Sequence, residues 1–167
     1  MTGVQTCALS DLTCYQMVGV PGSGKSTWIS NQDWAKNCAY VSTDHYVEKY
    51  AQSLGKTYSE AFTEFMPEAV NLMCQDAIVA RSQGRDIIWD QTSTTVKSRL
   101  RKFNMLPDYE HVAVVFKTPE HKELVRRLFN RPSKKIPDHV IASMIAGWEE
   151  PSQEEGFKEI WIASNTF

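Results

Sequence analysis

Apolar residues along this chain fall into two alternating kinds of segment. Short runs that are apolar almost throughout end at a glycine or an aspartate. Between them lie longer stretches in which apolar residues recur every three or four positions. The first kind suits strands buried on both faces of a parallel sheet, and the second suits amphipathic helices that cover it. Strands are predicted at 14–20 (CYQMVGV), 39–42 (AYVS), 86–89 (DIIW), 111–116 (HVAVVF) and 159–163 (EIWIA). Helices are predicted over 25–35, 58–83, 96–105, 120–130 and 138–148. In the longest of these Phe62, Phe65, Met66, Ala69, Met73, Ala77 and Ala80 keep helical spacing, and Pro67 must kink that helix or start a new one. The spacing assigns Phe62, Met66 and Met73 to the core rather than to a ligand wall, and Trp89, closing an apolar run, is read as core too.

Strands alternating with helices predict an α/β fold with a mainly parallel five-stranded sheet, helices on both faces and ligands at the carboxyl ends of the strands. Gly19, Asp44 and Asp90 all fall at such ends. With 167 residues, no internal repeat and no low-complexity tract or linker, one domain over 13–167 accounts for the chain. The first ten residues, MTGVQTCALS, carry neither a positive n-region nor an adequate apolar h-region. They resemble translated sequencing-adapter read-through, and 1–12 is set aside as non-native or disordered.

Composition adds little beyond exclusions. With 42% apolar and 23% charged residues, and no apolar run near the ~18 residues a membrane span needs, the expectation is a cytoplasmic protein without membrane contact. Cys7, Cys14, Cys38 and Cys74 show no C-x-x-C spacing, so reduced thiols are expected, with neither disulfide nor zinc. A net charge of −2 gives no global attraction to nucleic acid, which would need a local basic patch. Nothing points to a stable protein partner.

The chemistry begins at VGVPGSGKST, where Gly19 to Ser26 match G-x-x-x-x-G-K-S/T between a strand and a helix. This makes the fold a P-loop NTPase of nucleoside-kinase-like type. Gly19, Gly22, Ser23 and Gly24 form the loop whose backbone N–H groups take phosphates, helped by the positive end of the following helix. Lys25 reaches the β- and γ-phosphates, Ser26 Oγ coordinates Mg²⁺, and Thr27 adds a hydroxyl to the α-phosphate, so ATP and Mg²⁺ are the expected cofactors.

A signalling GTPase is excluded by the lack of N-K-x-D and D-x-x-G strings. Asp90 can act as a Walker-B-like carboxylate that holds Mg²⁺ through water. Gln91 and Thr92 follow it instead of a second acidic residue to polarise water, which weakens a hydrolase reading. Asp44, in STDHY, either takes a proton from an acceptor hydroxyl or caps the helix from His45 onward.

Four blocks in order, GVPGSGKSTW, VSTDHY, IIWDQTS and LVRRLFNRPSKKIP, resemble the kinase domain of the bacteriophage polynucleotide 5′-hydroxyl kinase family over about residues 14–163. The resemblance implies that Asp44 is the general base on a 5′-hydroxyl. It also implies that Asp90, with Thr92 two residues on, lies near the acceptor, and that Arg127 and Arg131 form a lid over the phosphates. Its implied partner is nucleic acid with a 5′-hydroxyl end, and its implied setting is the host cytoplasm if the chain is phage-encoded. One position departs. The family has an arginine three residues after the base, which helps to hold the acceptor's terminal phosphate, and this chain has Val47.

The lid also has a physical basis, because a planar guanidinium suits charge spread over γ-oxygens better than lysine does. Arg126, Arg127, Arg131, Lys134 and Lys135 cluster around Pro132, and Arg127 and Arg131 share a helix face at i and i+4. A solvated basic surface is the alternative. Lys97, Arg99, Arg101 and Lys102 read first as a solvent face, with a grip on a nucleic-acid backbone as the alternative. Tyr46 and Phe103 are candidates to stack on a base. The sequence leaves three functions open: a polynucleotide 5′-hydroxyl kinase, a small-molecule or toxin-type kinase acting on a nucleoside or sugar hydroxyl, and an ATP-binding switch with slow hydrolysis.

Overall fold

The computed structural model describes residues 11–131 and 134–164. Of the segment 1–12 that the sequence sets aside, residues 1–10, with Cys7, lie outside the described residues, as does Pro132, whereas Leu12 is described and its carbonyl accepts from the Glu110 N–H at 2.8 Å.

Five strands, β1 (Thr13–Val18), β2 (Ala39–Val41), β3 (Ile87–Trp89), β4 (Glu110–Val115) and β5 (Glu159–Ile162), form one sheet. All pairings are parallel and the order is β2-β3-β1-β4-β5. This arrangement matches the sheet expected from the apolar runs. It sets the carboxyl ends of β2, β3 and β1 side by side, so the segments that follow them meet in one place. Each crossover to a parallel neighbour needs a helix. These helices are α1 (Lys25–Ser30), α2 (Asp44–Leu54), α3 (Tyr58–Ser82), α4 (Val96–Met105), α5 (His121–Phe129) and α6 (Asp138–Ala146).

Side chains alternate between the two faces of β1. On one face Cys14 packs with Val41, Ile87 and Trp89 against Met73, Ala77 and Ala80 of α3. On the other Met17 packs with Ile88, Val112, Val114 and Phe116 around Trp28 of α1. Cys14, Cys38 and Cys74 are free thiols. Burial pushes the Cys14 thiol up to about 12, which makes it an inert core residue.

Three elements differ from their sequence expectations. The helix predicted over 25–35 ends at Ser30, and a 3-10 turn, Asp33–Asn37, takes over. The break swings Trp34 onto Tyr15 at 4.6 Å between ring centroids and onto Trp161 at 6.2 Å, which a continued α-helix would not aim there. α3 runs unbroken through Pro67, which leaves only the Thr63 carbonyl without its usual N–H donor. α4 starts and ends as predicted but is not a simple basic surface. Arg99 is 0% exposed and Lys102 is 3% exposed, so neither is a solvent residue or a handle for nucleic acid. Arg99 forks onto Glu155 at 2.8 and 3.1 Å and reaches the Ser93 carbonyl at 2.9 Å. Only Lys97 and Arg101 remain exposed on that helix among its basic residues.

Candidate active site

Beyond β1 the chain turns sharply into α1. Gly22 (φ 83°) and Gly24 (φ 98°) take left-handed conformations that a β-carbon would strain. Gly19 is required for space, since a β-carbon there would sit 2.5 Å from Ser23 Oγ and 2.9 Å from Phe116 Cβ. The Ser23 N–H donates to Val20 O at 3.2 Å, and Ser23 is buried. Gly19 and Ser23, expected to touch nucleotide, shape this turn. Gly22, Gly24, Lys25, Ser26 and Thr27 do line the cavity. The first N–H groups of α1 have no acceptor within the helix and point their charge toward it.

Lys25 folds back, Nζ donating to Gly19 O at 2.8 Å and to Val20 O at 3.0 Å. Burial pushes its ammonium down to about 8, against the opposing charges of Asp90 and Asp44. A phosphate would replace those two carbonyls as partner and favour the charged form.

The cavity above the loop has a volume of about 710 Å³. Asp90, one residue past β3, is buried in its wall and accepts from the Tyr40 hydroxyl at 2.5 Å. Burial raises the Asp90 carboxyl above its usual range, while Lys25 and the Tyr40 hydrogen bond oppose the rise. Gly19 N–H donates to Thr92 O at 2.9 Å, which ties the loop after β3 to the phosphate loop.

Asp44 stands one strand further out and also lines the cavity. It is the first residue of α2, and the preceding Thr43 makes no side-chain cap. Its carboxylate accepts from the Tyr58 hydroxyl at 3.0 Å, so the side chain faces a neighbouring helix rather than capping its own. Tyr58 is held above its usual range by burial and by the Asp44 charge, which keeps it a donor.

α5 closes the other side. Arg127 donates to Glu123 at 2.8 Å and to Gly22 O at 3.0 Å, binding the helix to the phosphate loop. Arg131, one turn on, lines the same cavity. Arg126 also borders the cavity, largely exposed, and pairs with Glu123 at 2.6 Å. Its other charge partners aside, Glu123 is held down to about 2 by hydrogen bonds from Arg126 and Arg127.

Two expectations about aromatic and apolar residues change. Phe62 and Met66, assigned to the core by spacing, form an apolar wall of the cavity with Ile136 and Met144. Phe103, considered for base stacking, packs on His111 and Phe157 inside the protein, and Tyr46 directs its hydroxyl to Asp76 at 2.5 Å, away from this cavity. Trp89 is core, 1% exposed. Val47 is fully buried between α2 and α3.

The donor set fits a nucleotide with Mg²⁺. Ser26 and Thr27 are exposed at the wall and Asp90 supplies a hard oxygen. Among the described residues no group of three or more His, Cys, Asp or Glu converges to hold a metal alone, so phosphate oxygens would complete the coordination.

A family model described as an AAA domain matches residues 15–151. The chain belongs to that family. The bifunctional polynucleotide phosphatase/kinase of Schizosaccharomyces pombe is 25% identical over 149 residues, covering 86% of this chain and 31% of the relative. An Acanthamoeba polyphaga mimivirus protein described as a bifunctional polynucleotide phosphatase/kinase is 27% identical over 152 residues, again 86% of this chain and 31% of its own length. The chain thus spans less than a third of these relatives. A Chloroflexus aurantiacus crystal structure described as a kinase superposes with a TM-score of 0.72 at 17% identity, over 93% of this chain and 89% of the other. This member of the AAA domain family is a P-loop kinase-type phosphotransferase domain. Among its described residues no helix is long and apolar enough to cross a membrane.

Proposed function

We propose that this domain transfers the γ-phosphate of ATP to the 5′-hydroxyl end of DNA or RNA. The observation that carries the proposal is the placement of Asp44. Its carboxylate is on the wall of the cavity that Lys25, Ser26 and Thr27 also line, steered by Tyr58 rather than spent on a cap. The names of the two curated relatives support a polynucleotide acceptor.

Each residue has a defined task in this reading. Lys25 leaves the Gly19 and Val20 carbonyls to neutralise the β- and γ-oxygens. Arg127 holds α5 against the phosphate loop and, with Arg131, presents guanidinium charge where charge spreads as the P–O bond to ADP breaks. Asp44 accepts the proton of the acceptor hydroxyl as that oxygen bonds to phosphorus. Asp90 and Thr92 border the acceptor side, and Phe62 and Met66 give its ring an apolar face. Ser26 Oγ, and Asp90 through water, would hold Mg²⁺, which supplies charge neutralisation at the phosphates when bound.

The test uses γ-labelled ATP with a 5′-hydroxyl oligonucleotide, a neutral sugar and no acceptor. Label should appear on the oligonucleotide, and Asp44→Asn should lower transfer by ~10²–10⁴ with ATP affinity and melting temperature kept. Label on the sugar alone, or only as free phosphate, would refute the polynucleotide reading.

A further inference from the structure

A second cavity, of about 480 Å³, opens at the free edge of the sheet, and the phosphate chemistry makes no use of it. Its floor is β2, an outermost strand, and its walls are the first turn of α2 and the carboxyl-terminal half of α3. Tyr46, whose ring is absent from the main cavity, lies here. Its hydroxyl donates to Asp76 at 2.5 Å, and its ring packs on the exposed His45 ring at 4.0 Å between centroids. The floor adds one pair of main-chain groups. Ala39 N–H donates to Asp86 O and Val41 O accepts from the Asp90 N–H, each at 2.8 Å, so both residues bond toward β3. By the alternation of a parallel ladder, the N–H and C=O of Tyr40 between them point away from the sheet.

We propose that this edge cavity is a nucleobase site for the acceptor strand. It takes a base downstream of the 5′-terminal nucleotide, which stacks on Tyr46 and His45 and bonds by its edge to the Tyr40 main chain. The inference rests on the polynucleotide reading of the main cavity. A base fits better here than an added peptide strand. A peptide would need a ladder of outward pairs, and β2, three residues long, offers one, whereas a single base edge carries both a donor and an acceptor. Every base has a π-face to set on an aromatic ring. Charge agrees, because Asp76 is the one carboxylate among the lining residues and already has the Tyr46 hydroxyl, while Arg85 brings an exposed guanidinium toward a polyanion.

The two cavities are neighbours. Asp44 and His45 are consecutive at the start of α2, about 3.8 Å apart at Cα, yet Asp44 lines the main cavity and His45 the edge cavity. Tyr40 joins them a second time, since it lines the edge cavity while its hydroxyl donates to Asp90 in the wall of the main one. A strand with its 5′-oxygen at Asp44 has one turn of helix to cross before it meets the rings.

The experiment compares kcat/KM for two 5′-hydroxyl tetranucleotides with γ-labelled ATP, one intact and one abasic at every position after the first. In wild type the intact strand should be better by about tenfold to a hundredfold, the worth of stacking one base, mainly through acceptor KM. Tyr46→Leu and His45→Ala should each shrink that ratio. Tyr46→Phe loses the Asp76 bond but keeps the ring and should retain it, which separates stacking from damage to α2. The abasic strand and KM for ATP should respond to none of the three. A ratio near one in wild type overturns the base site and leaves the proposed function standing. So does a ratio unchanged in both Tyr46→Leu and His45→Ala with product still formed, which returns the sheet edge to another occupant such as an extended peptide. A ratio lost equally in Tyr46→Phe also overturns the stacking role. No product on either strand with wild type overturns the site and the polynucleotide reading together.

Discussion

Replacing Arg99 by methionine should be among the most damaging changes in a helix that looks like basic surface in the sequence. The guanidinium is 0% exposed, donates to both oxygens of Glu155 at 2.8 and 3.1 Å, and reaches Ser93 O at 2.9 Å. Methionine refills most of the stem volume, so the cost is electrostatic. It leaves a carboxylate only 10% exposed with the Ser152 N–H at 2.9 Å as its remaining hydrogen bond, and it takes the donor from a carbonyl. Breaking one side of such a pair costs about 3–5 kcal/mol. For a domain of this size each kcal/mol lowers the melting temperature by about 2–4 °C, so a fall of roughly 6–20 °C is expected. Urea denaturation at pH 7 gives the free energy directly. Arg99→Met/Glu155→Leu removes both charges and should recover most of the loss, because a buried pair replaced by apolar groups is near neutral. A single-variant loss below about 1 kcal/mol, or a double variant no better than the single, would refute the assignment of Arg99 as a buried clamp. The clamp also bears on the site, since Ser93 holds a left-handed φ of 49° directly after Thr92, whose carbonyl takes the Gly19 N–H.

Two further predictions concern lysines that burial holds at about 8. In Lys25 the ammonium is the form that neutralises phosphate, so kcat/KM for ATP, which reports the free enzyme, should fall as pH rises through about 8; a profile flat to about pH 9.5 would show that Lys25 keeps its proton. In Lys102, which burial brings down to about 8 from the ordinary lysine value of 10.5, the folded chain below pH 8 carries an ammonium that is cheaper to hold unfolded, and the penalty fades as pH rises from 8 to 10.5. Lys102→Met should therefore stabilise by roughly 1–3 kcal/mol at pH 7 and by nearly nothing at pH 10.5, read as the difference from wild type in urea titrations; a destabilised variant at pH 7 would mean that the hydrogen bond to Ser98 O and the Trp89 ring 5.5 Å away outweigh burial.

Much of this architecture can be read in the sequence because the strands are buried on both faces and therefore apolar throughout. Just past three of those strands stand Gly19, Asp44 and Asp90, the positions that the sequence singles out as candidate site residues. Period 3.6 places Phe62 and Met66 in the core because it tells which side of a helix faces protein, not what lies across from it. The amino-terminal half of α3 overhangs the cavity, whereas Met73, Ala77 and Ala80 lie on the sheet. Arg99 carries no local sign of burial, since its partner Glu155 is 56 positions away. Lys134 is hidden in the same way, a surface charge in the sequence until the fold brings it to Glu48 and Asp44 of α2.

The distribution of polar groups around the cavity bears on transfer against hydrolysis. To activate water, a site of this kind needs a carboxylate or carboxamide positioned beside the γ-phosphate. Here the Asp90 carboxylate accepts from the Tyr40 hydroxyl and the Gln91 carboxamide oxygen accepts from Trp89 Nε1 at 3.1 Å, so both side chains that line the cavity next to β3 already have a donor. Asp44 lines the cavity too, held by the Tyr58 hydroxyl, and Tyr58, Phe62 and Met66 surround its approach with surface better suited to a sugar or base than to a lone water. A small acceptor such as water would leave that apolar face uncovered. An acceptor large enough to meet the apolar wall fills more of the cavity than water does, and this supports the proposed transfer to an organic hydroxyl over release of free phosphate.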